Sequence, residues 1–287
     1  MKICFVCNEY PPAPAGGIGT FTRALAEALV SRGHDVWVAG HGDRFDEQRQ
    51  GGVRVVRFPA GKGRFGPVAD RARLHRALRA IGTDGRIDVL EAPDFEGPSA
   101  FVPRCARAHV VRLHGSHRYF SDERGIAPSR SVSFLEKAAL RQADAIVSVS
   151  DYTARHTRDL FGLKTPITTI HNAVRVDPSL ARKQDYSASK RIVYFGTLAE
   201  KKGVLALAEA WRRFSPAHPG WCLELIGRDS QFAGGSVRQA AIERMGEAAS
   251  SARFPGPLAH DELLRALPGF DFAVLPSYSE AFALAPM

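Results

Sequence analysis

The sequence predicts an α/β protein made of two doubly wound, Rossmann-like domains. Two observations carry that reading. Short apolar strand-like segments alternate with helical segments along the 287 residues, the pattern of a parallel sheet covered by helices on both faces. The alternation breaks once, at the polar, Pro-containing stretch VRVDPSLARKQDYSASKR, and then restarts. The expected layout is a first domain over 1–175, a linker over 176–189 and a second domain over 190–287.

The elements follow in order. KICFVC reads as the first strand, GTFTRALAEALVSRG as a helix closed by Gly33, and HDVWVAG as the second strand. After a basic stretch come strands IDVLEA and HVVRLHG, helix SFLEKAALRQA, strand AIVSVS, helix TARHTRDLFG and strand ITTIHNAV. The second series runs RIVYFGTL, LALAEAWRRFS, WCLELIG, SVRQAAIERMGEAA, ARFPG, DELLRALPG and FAVLPS. It holds four strands, fewer than a doubly wound domain usually has, so the second domain reads as incomplete.

Composition narrows the function. An apolar fraction of 45% suits a globular core, and no apolar run reaches the roughly 18–20 residues of a membrane-spanning helix. The apolar stretch at the N-terminus is too short for a signal peptide. Four Cys point to a reducing compartment, hence the cytoplasm. Cys4 and Cys7 form a lone C-x-x-C inside a strand, where their side chains face opposite sides; buried thiols are the expectation there, not a metal or redox pair. His114 and His117 lack further ligands at zinc spacing, and no metal is expected there.

The net charge of +9 suits phosphorylated ligands, and the Arg residues are not interleaved with aromatics as nucleic-acid binding would want. The densest basic stretch is residues 62–80; there and at the next residue Leu74, Ala77, Leu78 and Ile81 fall at helical spacing, with Arg71, Arg73, Arg76 and Arg79 on the other sides. The expectation is a surface helix with a solvated Arg face; peripheral contact with an anionic membrane is the alternative.

Ligands of such sheets sit beyond the carboxyl ends of the strands. After the first strand, Gly16, Gly17 and Gly19 lead into a helix N-terminus, a weak phosphate or sugar loop whose spacing fails the dinucleotide fingerprint. After HVVRLHG the strand-end position is His114. Asp94 and Glu96 form an acidic loop expected to be solvated. In the second series, FGTLAEKKG ends a strand at Gly196 and puts Lys201 and Lys202 before a helix, a placement unfavourable unless an anion is near. Glu280 follows the last strand, where an acceptor-only carboxylate suits a polyol.

Six segments together resemble a family-4 retaining glycosyltransferase of the GT-B fold. They are NEYPPAPAGGIGTFTRALAEALVSRGHDV, RLHG, FLEKAALRQADAIVSVSDYT with IHNAV, FGTLAEKKG, RFPGPLAHDELLRAL and FAVLPSYSEAFALAPM, in family order over essentially the whole chain. The resemblance implies transfer of a sugar from a nucleotide-sugar to an acceptor hydroxyl with retention, in polysaccharide, lipopolysaccharide or glycolipid synthesis, without a metal. It implies His114 and Glu280 as catalytic groups. The implied donor-binding set is Gly16, Gly17, Gly196, Thr197, Lys201, Lys202, Arg253, Phe254, Phe282, Ala283 and Leu284. Thr197 stands where the family has a phosphate-binding Arg, removing a fork worth about 1–3 kcal/mol. Ala283 replaces a usual Gly. The family's second Glu would fall just after Met287, so the chain reads as a C-terminally truncated fragment. A non-catalytic nucleotide-sugar-binding or scaffold module is the alternative.

Overall fold

The computed structural model describes residues 1–11, 16–63, 65–83, 85–172 and 189–282. Contacts divide the chain into two units, Met1–Arg175 and Val176–Met287. The expected linker, 176–189, lies outside the described residues except for Ser189, as do Ala283 and Leu284.

The first unit runs β1 (Lys2–Val6), α1 (Gly17–Ser31), β2 (Asp35–Gly42), β3 (Asp46–Gln50), β4 (Val53–Pro59), α2 (Gly66–Ile81), β5 (Ile87–Pro93) and β6 (Ala106–Leu113). It continues with α3 (His117–Glu123), α4 (Arg130–Gln142), β7 (Ala145–Ser148), α5 (Asp151–Phe161) and β8 (Ile167–Thr169). The sheet order is β3-β4-β2-β1-β5-β6-β7-β8. Both faces of β1 are buried. Ile3, Phe5 and Cys7 pack with the α1 side chains Leu25, Ala26 and Leu29, while Cys4 and Val6 pack with Leu74, Leu78 and Ile81 of α2. That alternation sends the Cys4 and Cys7 side chains into different cores, and burial raises both thiol pKa values, that of Cys7 to about 11.

The sheet corrects the all-parallel expectation. β3 lies antiparallel to β4, joined through Gly51 and Gly52, both at positive φ, which a tight hairpin turn requires. β3 reads DEQRQ, a polar edge strand without apolar alternation, so hydrophobic patterning gave no sign of it.

α2 corrects the solvated Arg face. Arg76 and Arg79 are exposed, but Arg71 is half-buried. Its guanidinium donates to the carbonyls of Pro67 (2.9 Å), Glu96 (3.3 Å) and Gly97 (2.9 Å). Arg73 donates to the Pro59 carbonyl at 3.0 Å and lies 3.5 Å from Asp70. Two of the four α2 arginines are therefore fastened to backbone. No described helix is long and apolar enough to cross a membrane.

The second unit runs β9 (Arg191–Phe195), a 3-10 turn (Glu200–Lys202), α6 (Val204–Ala217), β10 (Cys222–Ile226), β11 (Gln231–Phe232), β12 (Gly235–Ser236) and α7 (Val237–Met245). It then forms β13 (Ala252–Gly256), α8 (His260–Ala266) and β14 (Phe272–Ala273). Its parallel sheet has the order β13-β10-β9-β14, and the two-residue strands β11 and β12 pair separately. Leu205, Ala208 and Trp211 of α6 pack with Ala241 and Met245 of α7 over Ile192, Tyr194, Leu223 and Leu225 of the sheet.

In each sheet the strand order reverses beside the first strand, between β1 and β5 and between β9 and β14. A crevice opens at the carboxyl ends of such a pair. Gly16 and Gly17 follow β1, Gly196, Lys201 and Lys202 follow β9, and Glu280 follows β14, while His114 follows β6, one strand further along.

Candidate active site

In the first unit, His114 is held from its backbone. Its N–H donates to Asp94 Oδ1 at 2.8 Å, and the Asp94 N–H donates to the Arg112 carbonyl at 3.0 Å, extending the β5–β6 ladder by one bond. Asp94 has no solvent exposure, which corrects the expectation of a solvated loop. Its Oδ2 is buried without a partner among the described residues. Burial, first, and then Glu136 push the Asp94 carboxyl up to about 8, against the bond from His114, so it is mostly protonated at pH 7.

Glu136, on α4, is a second fully buried carboxyl. It accepts from the N–H groups of Glu96 (3.1 Å), His117 (2.6 Å) and Arg118 (3.2 Å), tying the loop after β5 to the start of α3. The loop needs Gly97: φ is +53°, and a Cβ there would meet the Leu135 carbonyl at 2.6 Å. Glu96 beside it takes φ +60°, strained for a residue with a side chain.

The His114 ring packs on Phe21 of α1, with centroids 5.3 Å apart. Phe21 in turn lies 4.8 Å below the Arg112 guanidinium, which forms a two-pronged pair with Glu91 at 2.6 and 3.3 Å and is 5% exposed. Burial, and secondly Arg112, push the His114 pKa down to about 3. At neutral pH this imidazole is uncharged. It can donate or accept a hydrogen bond but supplies no positive charge.

Gly16 and Gly17 open α1. The Gly16 N–H donates to Glu9 Oε2 at 3.1 Å, so a protein carboxylate already sits at this helix N-terminus. Close approach explains the neighbouring Gly19, where a Cβ would lie 2.0 Å from the Glu9 carbonyl.

In the second unit the groups predicted after β9 and after β14 come together. The Lys202 ammonium donates to Glu280 Oε1 in a half-exposed ion pair. The Tyr278 N–H donates to the Lys201 carbonyl at 3.0 Å, joining the two loops by backbone as well. Gly203 takes φ +72°, and a Cβ there would strike the Pro276 carbonyl at 1.9 Å, so only glycine lets these loops touch. Gly196, with φ +135°, and Gly227 meet in the same way, a Cβ on Gly227 falling 1.7 Å from the Gly196 carbonyl. Thr197 is exposed, and its carbonyl accepts from the Tyr194 hydroxyl at 2.8 Å.

Other predicted residues are occupied within the unit. Arg253 lies in β13, with its side chain exposed and 3.9 Å from Glu224. Phe254 packs against the core with the Arg238 guanidinium 5.5 Å above its ring. Phe282 is half-buried.

Sequence reasoning gave no site role to Glu9, Phe21, Glu136 or Ser279. Ser279 precedes Glu280, is buried, and has an Oγ without a partner among the described residues. Glu136 did leave a signal: it stands three residues from both Ser133 and Ala139 and four from Leu140, on the buried stripe of α4. Among the described residues, no group of three His, Cys, Asp or Glu is placed to hold a metal ion.

Both units are α/β with polar groups beyond strand ends, where sheets of this kind bind their ligands, and comparison with known proteins supplies the family. Residues 15–178 match the model of Glycosyltransferase Family 4, and residues 189–287 match that of Glycosyl transferases group 1. Glycogen synthase of Mycobacterium tuberculosis is 30% identical over 321 aligned residues, covering all of this chain and 75% of the relative. Sucrose-phosphate synthase from Thermosynechococcus elongatus superposes with a TM-score of 0.78 at 18% identity, covering 99% of this chain and 77% of that one. The catalytic domain of starch synthase IV from Arabidopsis thaliana, solved with ADP and acarbose, gives 0.66 at 16% identity, with 99% and 79% covered. The chain belongs to glycosyltransferase family 4, and its fold is GT-B.

Proposed function

We propose that the protein transfers a sugar from a nucleotide-sugar to an acceptor hydroxyl with retention of anomeric configuration, in the synthesis of a polysaccharide, lipopolysaccharide or glycolipid. The observation that carries this reading is the Lys202–Glu280 pair at the β9/β14 reversal. A diphosphate is a better partner for an ammonium than one carboxylate, because it offers more charge and more acceptors. When a donor binds, Lys202 turns to the diphosphate and Glu280 is released to accept from sugar hydroxyls. Departure of the nucleoside diphosphate is the step that needs electrostatic help, and Lys202 with the backbone at Gly196 supplies it. His114 contributes an uncharged imidazole and a backbone fixed by Asp94. The ADP in the starch synthase IV structure agrees with a nucleoside-diphosphate leaving group.

The test is binding of nucleoside diphosphates to the chain and to Lys202→Ala. Loss of one charge-assisted contact predicts an affinity about tenfold to a hundredfold weaker. Equal affinities would remove Lys202 from the donor site. Thr197 favours a second reading, a nucleotide-sugar-binding module without turnover, because it lacks the guanidinium fork that would steady the leaving group. Release of nucleoside diphosphate from any nucleotide-sugar, with or without an acceptor, excludes that reading.

A further inference from the structure

Packing, not hydrogen bonding, sets the ring of His114. Its backbone N–H is bonded to Asp94, but among the described residues its ring nitrogens form no hydrogen bond. The ring meets Phe21 of α1, with 5.3 Å between centroids and an angle of 58° between planes. That separation lies within the range of favourable aromatic pairs. Such a contact orients the imidazole and leaves both nitrogens available to a substrate.

Phe21 is itself seated against a charge. It is 4% exposed, and the Arg112 guanidinium lies 4.8 Å from the centre of its ring. That guanidinium is fixed at all three nitrogens. Its Nε and Nη2 donate to the two carboxylate oxygens of Glu91 in β5, at 2.6 and 3.3 Å, and its Nη1 donates to the Ile170 carbonyl at 3.3 Å. A buried ion pair gives the fold little or nothing over an apolar pair of the same volume, so stability alone does not call for one here. A planar cation bonded on three sides does what an apolar side chain cannot: it presents a rigid face, in a set place, to the ring that carries His114. The same cation also disfavours a second positive charge nearby, and after burial it is the cause of the lowered His114 pKa.

We infer that Arg112 is a positioning residue for the transfer reaction: through Phe21 it fixes the orientation of the His114 imidazole. Its effect on turnover rests on the transferase reading, whereas the orientation itself does not. Every contact in the series lies within the first unit: Glu91 and Ile170 on Arg112, Arg112 on Phe21, Phe21 on His114.

The experiment compares the chain with Glu91→Leu/Arg112→Met, which exchanges the buried pair for apolar groups and so leaves no charge stranded. One readout needs no ligand. The His114 ring protons, assigned by their absence from His114→Gln, carry the ring-current shift of Phe21 in an NMR spectrum at pH 7. In the double variant that shift should fall by at least half. The other readout is release of nucleoside diphosphate from ADP-glucose or UDP-glucose. Displacing a reacting group by about 1 Å can cost about a hundredfold, so kcat should fall about tenfold or more while KM stays within about twofold. Phe21→Leu should lower kcat by a similar factor. The triple variant should be no slower than Phe21→Leu, because Arg112 acts through Phe21 and the losses do not add. If the double variant does not fold, Arg112→Lys takes its place; it keeps a charge for Glu91 but lacks the planar face, and the same loss of ring shift is expected. An unchanged ring shift in a folded variant overturns the positioning role. So does a kcat equal to the parent's, or a triple variant in which the two losses multiply. If the parent turns over neither sugar nucleotide, it is the transferase reading that fails, and the ring shift alone then decides whether Arg112 orients the imidazole.

Discussion

The candidate sites of the two units are built on opposite principles. In the first unit, His114 is fixed by carboxyl groups that never see solvent: Asp94 holds its N–H, and Glu136 holds three N–H groups of the adjoining segments. In the second unit, Lys202 and Glu280 stand on loops, half-exposed, and hold each other. Buried carboxyl groups bonded to backbone make a rigid support, because breaking them strands polar groups out of water's reach. A half-exposed ion pair is worth little to the fold, so either partner can be given up to a ligand at small cost. Rigidity suits a group that must hold its position, and exchangeable charge suits a site that fills and empties with a ligand.

Three substitutions would break or sharpen this contrast. The largest effect is expected for Glu136→Ala, which leaves three part-buried N–H groups without their acceptor and costs about 3 kcal/mol in urea unfolding. A loss below that of an ordinary surface mutation would show that the carboxyl is not a support.

Asp94→Asn comes next and has a signature in pH. The Asp94 carboxyl keeps its proton in the folded chain up to about pH 8, whereas in the unfolded chain it ionises near 4. The folded state therefore binds the extra proton between these values, and Asp94 makes stability fall as pH rises from about 4 to 8. Asparagine keeps an oxygen for the His114 N–H and cannot ionise, so the variant should lose that decline and gain on the parent toward pH 8. Parallel stability profiles for the two proteins would contradict the burial of this group. His114 acts with the opposite sign. Its folded pKa is near 3 and its unfolded value near 6.5, so its contribution is full above about 6.5 and is lost as pH falls toward 3.

The smallest effect on stability is expected from Glu280→Gln, within about 1 kcal/mol, because the pair is half-exposed. Its signature is in binding: an unneutralised Lys202 should hold a nucleoside diphosphate more tightly, while affinity for the whole nucleotide-sugar falls. Tighter binding of both would detach Glu280 from the sugar.

Much of this was legible in the chain. Lys202, Glu280, Gly196 and His114 could be found because each follows an apolar strand, and doubly wound sheets bind ligands at strand ends. The pairing of Lys202 with Glu280 could not, since 78 residues separate them and only the β9–β14 register brings their loops together. Asp94 was read as a solvated acid because an acidic loop usually is one; burial under α4 and the neighbouring strands made it a support. β3 escaped notice because a polar edge strand lacks the alternation that marks a half-buried one.

What the sequence determined by itself was local and periodic: most of the strands and helices, the glycines that allow close loop contacts, and the strand ends where polar groups collect. These follow from propensity and from the spacing of apolar residues, which act over a few positions. What the tertiary structure alone decided was the state of those groups. It made Asp94 mostly protonated and His114 neutral at pH 7, turned Glu136 inward and fastened Arg71 to carbonyls. Charge state and partnership depend on desolvation and on neighbours distant in the chain, and both are fixed only when the elements pack.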